Sequence, residues 1–133
     1  MTDIELYEEI VRLQKAGEPA ALATVVDSAG SSPRKPGAKM LVRENGSTLG
    51  TVGGGRVEAE AIAAVRDVIV EGVPRTLAFT LTEAHGFACG GSLTLFVEPL
   101  GGAPSLLVCG AGHIGRALTR LAAACGLAGW DAV

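Results

Sequence analysis

The sequence predicts an α/β protein: a small α+β N-terminal domain with a mixed sheet, followed by a truncated βαβ step. Three observations predict this. A helical period opens the chain, five strand-like segments and a second helix follow up to about position 100, and a glycine turn separates an apolar strand from a helix near the C-terminus. The 133 residues, 48% hydrophobic with 19 glycines and 4% aromatics, suit one small domain plus part of another. The Gly/Pro cluster "GGAPS" sets the expected boundary, giving domains 1–100 and 101–133.

The elements follow in order. Asp3 to Ala16 spaces Ile4, Tyr7, Ile10, Val11 and Leu13 near the helical repeat, and Gly17 and Pro19 stop it. "AALATVVDSAG" reads as a buried strand, and "AKMLVRENGSTLG" as a hairpin turning at Asn45-Gly46. Arg56 to Glu71 is an amphipathic helix directly behind three glycines, with Val57, Ala61, Ala64, Val65, Val68 and Ile69 on one face. "RTLAFTLT" and "SLTLFVEPL" alternate as two more strands around the loop "EAHGFACGG". Beyond the linker come the strand "SLLVCG", a helix from about Ile114 to Cys125, and the start of a strand at "WDAV".

Composition excludes several classes. The net charge of -3 argues against nucleic-acid binding, which needs a basic surface, although Arg34, Lys35, Lys39, Arg43 and Arg56 cluster enough for a local anion site. No apolar run is long enough for a membrane span, and the acidic, helical N-terminus does not resemble a secretory signal, so a cytoplasmic protein is expected. Cys89, Cys109 and Cys125 form no CxxC pair, which predicts free thiols, with Cys109 and Cys125 as small buried apolar residues.

Four stretches carry candidate chemistry. Gly110, Gly112 and Gly115 form GxGxxG in the strand-to-helix context of a Rossmann turn, where amides and the helix dipole hold a pyrophosphate, with His113 close by. The competing reading is a turn that only packs helix on strand, and Asp131 stands too early for a ribose-binding acid. In "TVGGGRVEAE", Gly53, Gly54 and Gly55 can turn amides toward an anion and Arg56 can add a charge-assisted bond, while Glu58 in the first turn already satisfies the dipole. A plain strand-to-helix connection is the alternative. "GSSPRKPGAKM" gathers Ser31, Ser32, Arg34 and Lys39 in a loop stiffened by two prolines, a donor set for an oxyanion or phosphate. In "HGFACGG", Cys89 with Gly90 and Gly91 suits sulfur transfer or a soft metal, or else is a buried turn cysteine.

Taken in order, "GSSPRKPGAKMLV", "GTVGGGRVEAEAI", "FACGGSLTLFVEPL" and "LLVCGAGHIGRAL" resemble the XdhC/CoxI family of xanthine dehydrogenase accessory proteins. The resemblance implies a carrier rather than a turnover enzyme. Such a protein binds the molybdenum cofactor, as molybdopterin or its dinucleotide form, presents it to a cysteine desulfurase for sulfuration, and delivers it to a molybdenum hydroxylase apoenzyme such as xanthine dehydrogenase. By that analogy Ser31, Ser32, Arg34, Lys39, Gly53 to Gly55, Arg56 and Cys89 to Gly91 form the cofactor site, with Cys89 as the metal or sulfur ligand. A homodimer is expected from an exposed parallel strand edge near the C-terminus. The alternatives are an NAD(P)-dependent oxidoreductase using the Gly110 to Gly115 turn, and a non-catalytic interaction domain.

Overall fold

A computed structural model describes residues 3–30, 34–81, 91–101 and 105–132. Helix α1 covers Asp3–Ala16, its core side set by Leu6, Ile10 and Leu13. Strand β1 (Ala20–Ala29) runs antiparallel to β2 (Lys39–Arg43), which turns into β3 (Thr48–Gly50). The register places Met40 opposite Gly50 and Val42 opposite Thr48, and Arg43 N–H donates to the Ser47 carbonyl at 2.9 Å. The connection is therefore the three residues Glu44, Asn45 and Gly46, with Gly46 at φ +85°, one residue longer than a two-residue Asn-Gly turn.

Helix α2 (Gly55–Glu71) then crosses to the far edge of the sheet, where β4 (Arg75–Leu81) pairs with β5 (Gly91–Leu100). The strand order is β3-β2-β1-β5-β4, and every pairing is antiparallel. The expected mixed sheet is thus an antiparallel one. The α2 crossover connects strands running the same way, but it lands them at opposite edges, so they never become neighbours. Pro99 fits in β5 because β4 pairing ends at Val97, leaving that stretch bonded to β1 alone.

The alternation of the strands builds two apolar layers. Ala21, Ala23 and Val25 of β1, Met40 and Val42 of β2, and Leu93, Leu95 and Val97 of β5 meet Val57, Ala61, Val65 and Val68 of α2. On the other face Ala20, Leu22 and Leu41 meet Leu6 and Leu13 of α1. An ion cluster fixes α1 at its rim. Glu9 accepts from Arg12 one turn away and from Arg43 Nε of β2 at 3.0 Å, across 34 residues of sequence. The hydrogen bonds from Arg12 and then Arg43 hold the Glu9 carboxyl down at about 2.

Strand β6 (Ser105–Cys109), helix α3 (His113–Ala124) and strand β7 (Ala128–Ala132) form a βαβ unit whose two strands are parallel, Leu107 pairing with Trp130 and Val108 with Asp131. These strands form a sheet of their own, next to the five-stranded one in sequence but not bonded to it. Cys109 and Cys125 are exposed free thiols, which corrects the expectation of buried ones. A single helix on a two-stranded sheet gives little cover, so Leu107, Ile114 and Leu121 are also exposed.

Candidate functional site

The strand ends that flank the candidate stretches lie at one end of the sheet. Ala29 at the end of β1 pairs with Ser92 near the start of β5, and Leu81 at the end of β4 pairs with Gly91. Lys39 at the start of β2 pairs with Thr24, and Gly50 at the end of β3 pairs with Met40. The chain therefore enters or leaves the sheet at this end on both sides of the stretches 30–38 and 82–90, and also at the 51–54 turn. Gly91 is buried there as the first residue of β5. Ser31, Ser32, Cys89 and Gly90 lie outside the described residues.

Arg34 and Lys39 come together in a groove of about 600 Å³ that they line with Asp3, Ala38, Gly50 and Thr51. The segment before β2 folds back on β1, since Val25 N–H donates to the Ala38 carbonyl at 2.9 Å and Gly37 N–H to the Val25 carbonyl at 2.7 Å. Lys39 Nζ donates to the Gly37 carbonyl at 2.9 Å, which holds its ammonium at the groove. Two basic residues and one acidic residue thus line the groove. That suits a phosphate or another oxyanion carrying its own donor groups.

The triple-glycine turn is built from both sides. Val52 is fully buried in the core shared with α2. Gly53, Gly54 and Gly55 have φ of 154°, 77° and 61°, a run that side-chain-bearing residues adopt only under strain. Three donors then converge on one carboxylate oxygen, Glu58 Oε1. They are the Thr51 hydroxyl, Val52 N–H at 3.1 Å and Gly54 N–H at 2.9 Å. Gly53 N–H donates to Thr51 Oγ1 at 3.2 Å. Burial raises the Glu58 carboxyl pKa, but the Thr51 hydroxyl and the amides of Gly54, Val52 and Gly53 outweigh it, so the net shift is downward.

The anion held by this turn is thus the chain's own Glu58, which reaches back four residues to accept from the amide of the N-cap residue Gly54. The Gly53 and Gly54 amides expected to face a ligand are engaged within the chain. Thr51, which the motif reading passed over, links the two features: its hydroxyl proton goes to Glu58 while the residue forms a wall of the Arg34 and Lys39 groove. A hydroxyl residue two places before the glycines and an acid one turn after them were the signal for it. Arg56 is exposed in the first turn of α2.

The second glycine turn forms a separate groove of about 720 Å³, lined by Gly110, Gly112, His113 and Gly115 with Leu107 and Leu118 among its apolar walls. Gly112 is the N-cap of α3, and His113 opens that helix, exposed. Gly115 has a packing reason to be glycine, because a Cβ there would lie 2.3 Å from the Gly110 carbonyl oxygen. Among the described residues no three His, Cys, Asp or Glu side chains are grouped to hold a metal, and no helix is long and apolar enough to cross a membrane.

The class of fold is an antiparallel five-stranded α+β sheet followed in sequence by a glycine-turn βαβ unit. The chain belongs to the XdhC and CoxI family, whose profile matches residues 13–80. It is 39% identical over 127 residues to the uncharacterized protein YqeB of Escherichia coli, covering 92% of this chain and 23% of that protein. It is 35% identical over 95 residues to the molybdenum cofactor insertion chaperone PaoD of the same organism, covering 69% of this chain and 30% of PaoD. A crystal structure described as a xanthine dehydrogenase from Bacillus halodurans superposes with a TM-score of 0.65 at 28% identity, over 90% of this chain and 34% of that one. The chain therefore spans a quarter to a third of the length of these relatives.

Proposed function

We propose that the chain acts in the insertion of the molybdenum cofactor into a molybdenum hydroxylase such as xanthine dehydrogenase, as a carrier of that cofactor. The observation that carries this reading is the groove where Arg34 and Lys39 meet Thr51, at the sheet end from which stretches 30–38 and 82–90 both depart. The cofactor's phosphate, on molybdopterin or its dinucleotide form, binds Arg34 and Lys39, with Ser31, Ser32 and Arg56 as further donors. Gly53 to Gly55 shape the wall through Thr51, and Cys89, between small residues beside Gly90 and Gly91, offers a thiolate to the molybdenum or to the sulfur it receives. A cysteine desulfurase and the apo-hydroxylase are the partners of this cycle, in the cytoplasm. Residues 1–100 form the carrier domain and 101–133 the opening of a Rossmann-like one.

Anaerobic fluorescence titration with released molybdopterin tests the proposal. Saturable binding is expected, weakened about tenfold or more by Arg34→Ala or Lys39→Ala, the loss of one charge-assisted contact. Absence of binding by the folded protein overturns it. The Gly110 to Gly115 groove supports a second reading, in which that turn holds NAD(P) or another nucleotide. A rise in melting temperature on adding NAD or NADP, abolished by Gly112→Asp, is its signature.

A further inference from the structure

The two edges of the five-stranded sheet differ. Strand β3 offers three residues, whereas β4 offers seven, bonded to β5 without any register shift. Edge strands of soluble proteins are ordinarily blunted by lysine, proline or a bulge. From Thr76 to Leu81, β4 has none of these, and its one charge, Arg75 at the start, is paired with Glu71 of α2.

The strand also reads the same in both directions: Thr76-Leu77-Ala78-Phe79-Thr80 is hydroxyl, apolar, small, apolar, hydroxyl. Leu77 and Phe79 lie on the α2 side, packed against the core yet only half-buried. Thr76, Ala78 and Thr80 are exposed on the opposite face.

We propose that β4 is a homodimer interface, two copies pairing antiparallel about a two-fold axis at Ala78 to make one ten-stranded sheet. In that register Leu77 packs on the partner's Phe79 and finishes the burial the monomer leaves incomplete, and Thr76 meets the partner's Thr80 in a favourable cross-strand pair. Arg75 meets the partner's Leu81, so no like charges oppose one another. A second copy fits better than an unrelated strand because the sequence complements itself at each of these positions. This surface is distinct from the C-terminal strand edge, and it does not depend on the cofactor reading.

Sedimentation of the full chain from low to high micromolar concentration provides the test. The wild type is expected to be dimeric. Ala78→Lys and Ala78→Glu each put like charges face to face on the axis and are expected to raise the dissociation constant about tenfold or more, with the circular dichroism of the fold unchanged. An equimolar mixture of the two variants then reassociates, because the axis pair becomes lysine against glutamate. Should Ala78→Lys fail to fold, the double variants Thr76→Lys with Thr80→Lys and Thr76→Glu with Thr80→Glu, whose like charges oppose one another across the seam, take its place under the same criteria. A monomeric wild type, a dimer that persists in both charge variants, or a mixture that stays monomeric overturns the proposal.

Discussion

Replacing Glu58 probes the triple-glycine turn more directly than replacing any glycine in it. Glu58→Ala removes the acceptor of the Thr51 hydroxyl and of the Val52 and Gly54 amides at once, all of which converge on a single oxygen. Loss of a helix-cap acceptor costs about 1 kcal/mol and up to about 2. Hydrogen bonds to a charged partner are worth about 1.5–3 kcal/mol each when buried, but here water reaches the half-buried carboxylate and replaces part of them. The expected loss is thus about 2 kcal/mol, or roughly 6–10 °C in melting temperature for a chain of this size. Glu58→Gln keeps a neutral oxygen in place and is expected to lose about half as much.

Acidity supplies an independent arm. The folded Glu58 carboxyl titrates below its ordinary value of 4.5, so its contribution is complete above that pH and disappears as the pH falls through the folded value. Urea denaturation of wild type and Glu58→Gln between neutral and acid pH should therefore show two stability curves that converge as the pH drops. Equal stability of Glu58→Ala and wild type at neutral pH, or parallel curves for wild type and Glu58→Gln, would refute the reasoning.

Two further outcomes follow from the packing. Gly115→Ala forces a Cβ against the Gly110 carbonyl and displaces the start of α3, a crowding cost of about 1–3 kcal/mol; hydrogen exchange of the α3 amides should quicken while those of β1 and β5 hold, and unchanged α3 exchange would exclude the clash. The Glu9 carboxyl should titrate by NMR near pH 2, against an ordinary 4.5, so its support for α1 persists above the ordinary value and is lost only as pH falls toward 2; Arg43→Ala should move the midpoint upward, and a midpoint at the ordinary value in wild type would contradict the ion cluster.

Periodicity located the elements because burial here follows the local repeat. Helix α1 begins at Asp3 and ends at Ala16 as its apolar spacing and the Gly17 stop require. The strands fall on the alternating segments for the same reason. What depends on three-dimensional cover was not legible. Cys109 and Cys125 sit in apolar runs, and only the thin βαβ unit leaves them exposed. The attachment of α1 through Glu9 and Arg43 joins residues with no pattern in common. In the candidate site, the residue types of "GSSPRKPGAKM" predicted a cluster of donors, and Arg34 and Lys39 do line one groove. The acid in the first turn of α2 was visible as a charge, but the meeting of three donors on one of its oxygens depends on how β3 delivers the chain into the helix.

The position of β5 between β1 and β4 has a consequence for synthesis on the ribosome. Strand β1 is complete by Ala29 and β4 by Leu81, yet neither gains its shared neighbour until Leu100 has emerged, because β5 alone joins them. Until then β1, β2 and β3 are the strands of this sheet whose mutual neighbours have all been made, and β4 has none. Ladders that close over such sequence distances form slowly and leave strand edges open in the meantime. The stretch from Gly91 to Leu100 is thus the last piece of the sheet to be made and the one that seals it.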